Sequence, residues 1–172
     1  YSKQHFSNFY AYDNSTAEAG YGFYDAGAEF AYQFAVLENK GDTIRGLWIY
    51  FNDVINHSNY LTPFTFRIRK DNAGLPGTIV WESATMYADS SKGLNKFLFY
   101  EFDEPQFLKG VFYIGSHQTT SEYLNVGLDL NTISTNKMFY KTTPKTILIY
   151  LRPHLGNFAL KEVNIKGMQQ QQ

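Results

Sequence analysis

The chain has no cysteine, which excludes disulfides, thiolate metal sites and cysteine nucleophiles together. It also has no surplus of either charge. Fifteen Lys and Arg stand against 16 Asp and Glu, for a net charge of −1, and neither sign gathers into a run. A nucleic-acid binder working through counterion release carries a basic excess, so no nucleic-acid partner is expected. No apolar run approaches the roughly 20 residues of a membrane span, so no membrane insertion is expected either. No positively charged segment followed by an apolar one opens the chain. With Tyr1 rather than Met at its start, the sequence reads as a mature or trimmed form whose export signal has been removed. A convincing amphipathic helix, an internal repeat and a linker that would split the chain are missing as well.

What is abundant is aromatic. Fifteen Phe, 14 Tyr and 2 Trp make up 18% of 172 residues, and aromatic side chains suit pleated, half-buried surfaces, which points to sheet. A chain of this length buries roughly 70% of the surface its unfolded form exposes and needs no covalent staple. The expectation is one β-sandwich domain over residues 1–168 followed by a polar tail at 169–172.

The strands are legible from alternation. Over 28–37, Phe30, Tyr32, Phe34 and Val36 fall on one face and Glu29, Ala31, Gln33 and Ala35 on the other. The stretch 43–51 is apolar on both faces, as in a central strand. In 64–69 apolar residues alternate with Thr65, Arg67 and Arg69, after which 71–77, rich in Gly, Pro and Asx, reads as a long structured loop before a strand at 78–81. Further strands are expected at 9–12, 17–24, 94–102 (ended by Pro105), 111–115, 123–130, 137–141, 146–151 and 158–163. About a dozen short strands with regular turn signals describe an all-β fold. Loops of crossover length at 52–62 and 130–137 favour a two-sheet jelly-roll-like, galactose-binding-like sandwich.

Catalytic chemistry finds little support. Glu101 and Asp103 alternate as in the carboxylate ladder of jelly-roll glycosidases, but the next position in phase is Pro105 and Glu104 faces the other way. His5, His57, His117 and His154 are far apart, with no metal-ligand spacing among them. No nucleophile elbow or phosphate loop is present. The chain is therefore expected not to be an enzyme and to need no cofactor. The one metal its loops suggest is a structural Ca²⁺ drawn from the loop carboxylates Asp13, Glu18, Asp25 and Asp53, with Asp13 and Glu18 the best pair because they flank one tight turn; the competing role for Asp13 is an Asx turn. Tyr60, Trp81, Tyr87 and Tyr123 lie near loops and could stack on sugar rings, although residues such as Trp48 and Trp81 are more often buried pegs than platforms. Arg67 and Arg69 could grip an anionic ligand, or else pair across strands with Glu82 or Glu101.

Three segments carry a resemblance. Residues 12–21, YDNSTAEAGY, are similar to a recurring YDDGTAE-type opening, with Asn14-Ser15 in place of its Asp-Gly. Residues 66–78 resemble a strand-loop-strand with a G-x-P-G-T turn, and 151–156, LRPHLG, resemble a closing I-R-P-x-F-G element. Together they resemble secreted or cell-surface β-sandwich domains of Bacteroidetes, of the kind found before type IX secretion sorting domains. The resemblance implies export and a jelly-roll-like sandwich, and supplies no catalytic residues. The expected role is a non-catalytic accessory or adhesion module that meets a glycan or a protein at the cell surface. The alternatives are a structural spacer packing against an adjacent domain of the same parent chain, and an unassigned glycoside hydrolase.

Overall fold

The computed structural model describes residues 5–6, 9–12, 19–36, 40–51, 61–88, 96–128, 135–142, 149–150 and 164–167. In chain order the strands are β1 (His5–Phe6), β2 (Phe9–Ala11), β3 (Ala19–Tyr21), β4 (Glu29–Ala35), β5 (Asp42–Phe51), β6 (Pro63–Asn72), β7 (Leu75–Glu82), β8 (Met86–Tyr87), β9 (Lys96–Leu108), β10 (Val111–Gln118), β11 (Val126–Leu128), β12 (Met138–Lys141), β13 (Ile149–Tyr150) and β14 (Asn164–Gly167). No α-helix occurs among the described residues.

The strands form two antiparallel sheets packed together. In the first, the order is β1-β2-β14-β5-β11-β3, with β9 along the other edge of β5. The second runs β13-β12-β4-β10-β6-β7, and β8 adds to β6. The strand β5 is central, as its two apolar faces imply. Alternation on β4 is also as expected, with Phe30, Tyr32 and Phe34 turned into the space between the sheets.

That space is filled by rings. Phe34, Phe51, Phe64 and Phe66 are fully buried beside Ile44, Leu47, Ile49, Ile68 and Ile114. Phe51 of the first sheet meets Phe64 of the second at 5.3 Å between ring centres, and Tyr100 meets Phe64 at 5.7 Å. Burying one such ring stabilises the fold by roughly 1.5–3 kcal/mol, and its ring contacts add about 0.5–1.5 kcal/mol per pair.

Several expected bounds are corrected. The strand expected over 17–24 ends at Tyr21 and the one expected over 123–130 begins at Val126, so 22–24 and 123–125 are loop. Strand β9 does not stop at Pro105 but continues to Leu108. Its register against β5 moves from Ile44↔Gln106 to Gly46↔Glu101, so three extra residues bulge out between them. Proline is tolerated there because the ladder asks no N–H of a bulged residue. The expected long loop at 71–77 is instead a two-residue turn at Ala73-Gly74, and Leu75-Pro76-Gly77 are already strand. Among the described strands β7 ends the sheet, where a proline costs no ladder bond. Its register slips twice against β6, each time with the extra residue on β7. Both features guard an open edge against pairing with another chain.

Ala73 has φ 53° and Gly74 φ 84°, as a tight hairpin turn of this hand requires. An alanine held at positive φ is strained. Ala73→Asn, giving the Asn-Gly pair such turns favour, is expected to stabilise the protein by about 0.5–1 kcal/mol, read as a rise in the urea midpoint. An unchanged or lower midpoint would contradict the turn geometry.

Candidate functional site

Two features stand out, a charged network on the outer face of the second sheet and a ring-bearing end of the sandwich. Alternation puts Glu29 of β4, Tyr113, Gly115 and His117 of β10, and Arg67 and Arg69 of β6 on the same outward side. Strands β4 and β6 are not neighbours, since β10 lies between them, and two strand spacings separate their backbones by about 9–10 Å. The acid and the guanidinium groups therefore meet above β10, at Gly115, which lies opposite Arg67 and has no side chain to stand in the way. A Cβ there would also collide with the Phe30 carbonyl oxygen and sit 2.7 Å from Ala31 Cα.

The contacts are close. Arg69 donates from Nε to Glu29 Oε1 at 2.5 Å and from Nη2 to Oε2 at 2.8 Å, while Arg67 Nη1 donates to Oε2 at 3.1 Å. Arg69 Nη1 also reaches the Gly77 carbonyl at 2.7 Å, tying in the bulged edge strand. Arg67 Nη2 pairs with Glu82 at 3.0 Å, and Thr65 donates its hydroxyl proton to Glu82 at 2.7 Å. The Glu29 carboxylate is 1% exposed, and the Arg67 and Arg69 side chains are 16% and 13% exposed. The face expected to be wet is largely closed. Beside the charges, Tyr113 donates to Asp71 at 2.7 Å and accepts from Gln33 at 2.6 Å, and Tyr113, Ala31 and Phe139 form a buried apolar cluster.

Arg67 and Arg69 thus spend donors on Glu29, Glu82 and a backbone carbonyl. Of the two cross-strand partners expected for them, Glu82 is one. Glu29 was not anticipated. Arg67 Nε is buried with no hydrogen-bond partner among the described residues. Thr65, His117 and Glu82 have the residue types of a hydroxyl-nucleophile triad. However, Thr65 at 3.3 Å and Glu82 at 3.7 Å both approach the same ring nitrogen, Nδ1, so the imidazole cannot relay a proton from one to the other.

At the ring-bearing end, the strand pairings bring together the loops 22–28 and 119–125, the start of β6 and β8. Gln118 is 3% exposed and pins the first two: its side-chain amide donates to the Phe23 carbonyl at 3.1 Å and the Thr120 carbonyl at 2.7 Å. Its backbone closes the same junction, with Gly27 donating to the Gln118 carbonyl and Gln118 donating to the Ala28 carbonyl, both at 2.8 Å. Gly22 permits the close approach, since a Cβ there would strike the Leu124 carbonyl oxygen and lie 2.9 Å from the Tyr123 ring. The result is a surface pair of rings, Tyr24 and Tyr123, 4.6 Å apart and inclined at 38°. Tyr24 is 67% exposed, and Tyr87 and Leu61 are exposed at the same end. The cavity beneath, lined by Phe23, Phe30, Gln118, Leu124 and Val126, has room for no more than about one water.

Of the expected ring residues, Tyr123 and Tyr87 lie here, and Tyr24, expected within a strand over 17–24, joins them from the loop that follows β3. Trp81 is a partly buried peg, its ring 4.3 Å from that of Phe102. Tyr60, Asp13 and Glu18 lie outside the described residues, as do His57 and His154. Glu101, Asp103 and Glu104 are exposed on β9, the last two within its bulge. No group of three or more His, Asp or Glu side chains converges on a metal position among the described residues. No protein-family model matches the chain, and neither a search of curated proteins nor one of solved structures finds a similar protein.

Burial alone would raise the Glu29 pKa. The hydrogen bonds and charges of Arg69 and Arg67 outweigh it and hold the carboxyl below its ordinary 4.5. Removing one partner of such a buried pair costs about 3–5 kcal/mol, whereas replacing the whole set by apolar residues is often neutral. Glu29→Gln is therefore expected to cost about 3 kcal/mol in chemical denaturation, and the triple variant Glu29→Leu/Arg67→Met/Arg69→Leu to recover most of it. Equal losses in both would contradict a clamp made by charge.

The pH dependence follows in sign. His117 is held below 6.5, first by burial and then by the Arg67 charge, against the pull of Glu29 and Glu82. As pH falls below 6.5 the unfolded chain takes up that proton before the folded one, so stability declines. Glu29, depressed when folded, contributes in full above 4.5 and is lost as pH falls through its folded value. Urea midpoints should fall from about pH 6.5 and steepen below about pH 4.5, with His117→Gln removing the first step. A midpoint flat between those two values would contradict the placement of His117.

Proposed function

We propose that this chain is a non-catalytic accessory or adhesion module of an exported bacterial protein, presenting the ring-bearing end of the sandwich to a glycan. The two packed antiparallel sheets support a jelly-roll-like, galactose-binding-like arrangement, in which loops gathered at one end do the binding. The resemblance to Bacteroidetes cell-surface sandwich domains supports the setting. The observation that carries the reading is the Tyr24 and Tyr123 pair, held at the surface by Gln118 and Gly22. Tyr24, backed by the Tyr123 ring, presents one exposed apolar ring face with a hydroxyl tip. A pyranose, with one face of C–H groups and a rim of hydroxyls, fits such a surface at little entropic cost.

A structural spacer is the second reading, favoured by Leu75, Ile79 and Val80, which are 41–45% exposed on the edge strand β7 and could pack on an adjoining domain. A glycan array decides between them. Binding to some members is expected, weakened at least tenfold by Tyr24→Ala and by Tyr123→Ala with no change in the melting temperature large enough to signal unfolding. A blank across plant, host and microbial glycans would favour the spacer.

A further inference from the structure

The ring-bearing end also has a charge pattern, and it bears on the kind of glycan that fits; this step rests on the glycan reading above. Asp25 follows Tyr24 and Glu122 precedes Tyr123, and both acids are exposed. Across the described segments that make this end, 22–28, 61–63, 83–88 and 119–125, the ionisable acids are these two, and there is no Lys, Arg or His. Among the described residues the nearby cations belong to the sheet face: Arg67 is engaged by Glu29 and Glu82, and Lys141 lies opposite Glu29 in the β4 and β12 register. A carboxylate is an acceptor only, and its hydrogen bonds from neutral donors are about twice as strong as uncharged ones. Neighbouring sugar hydroxyls are such donors. A sugar carboxylate or sulfate in the same place offers no proton and meets like charge, which costs binding and does so most at low salt.

We infer that this end takes an uncharged pyranoside, with Tyr24, backed by Tyr123, under its C–H face and Asp25 and Glu122 accepting from its hydroxyls, and that it rejects uronate and sulfated sugars.

The test uses the intact chain, the neutral oligosaccharides bound on the array, and for each its counterpart oxidised to the carboxylate at C6, titrated at low and at high salt. Neutral sugars should bind at least tenfold tighter at low salt, and the gap should shrink as salt rises. The pair Asp25→Asn and Glu122→Gln should narrow the gap at low salt, while Tyr24→Ala should weaken binding of both at least tenfold. Equal or tighter binding of the oxidised sugars, or a ratio unmoved by the amide variants, overturns the charge assignment and leaves the glycan reading standing. Tighter binding of a protonated glucosamine oligomer than of its neutral N-acetylated form also overturns it. Binding of neither sugar class overturns the glycan reading, and this inference with it.

Discussion

The arrangement of the second sheet depends on one carboxylate. Glu29 is almost wholly buried on the outward side of β4, and a lone charge there would be costly enough to drive the group neutral or the strand out of place. Two guanidinium groups from β6 make it tolerable, one of them bidentate. Because the pairing passes over β10, it fixes three strands relative to one another, and the Arg69 bond to Gly77 adds a fourth. Gly115 is the steric condition for all of this, since any side chain at that point collides with the neighbouring backbone.

This clamp also decides what the sheet face is available for. Arginines on the polar side of a strand invite an anionic ligand, but here their donors are directed at Glu29, Glu82 and a carbonyl oxygen, and little of either side chain meets water. An anion would have to compete with a carboxylate already held by three N–H groups. The proposed binding is placed at the end of the sandwich, where the same strand β10 finishes in Gln118, which ties two loops together. One strand thus serves both regions, through a missing side chain at Gly115 and through a buried amide three residues later.

How much of this the sequence discloses follows from what is local. The period of two on β4 and the apolar run of β5 are local properties, and both elements form where they are expected. The hairpin is local too, but its loop looks longer than it is: Pro76 and Gly77, turn formers in isolation, are used here at an edge and a bulge. Glu29 as the partner of Arg67 and Arg69 is not local. It depends on β10 lying between β4 and β6, a strand order that no spacing encodes. Tyr24 escaped notice because 17–24 reads as one strand, whereas the strand ends at Tyr21 and Gln118, 95 residues away from Phe23 in sequence, ties the loop that carries Tyr24. Tyr123 and Tyr87 were legible as loop rings, while Trp81 shows how a ring near a loop can instead be drawn inward, here onto Phe102.

The most direct test of the clamp is a carbon-13 NMR titration of the Glu29 side-chain carboxyl in the folded protein. A midpoint below 4.5 is expected, with burial overcome by Arg69 and Arg67. A midpoint at or above that value would mean that the guanidinium groups are turned away from Glu29, leaving the sheet face open to ligands and the strand arrangement without its main polar constraint.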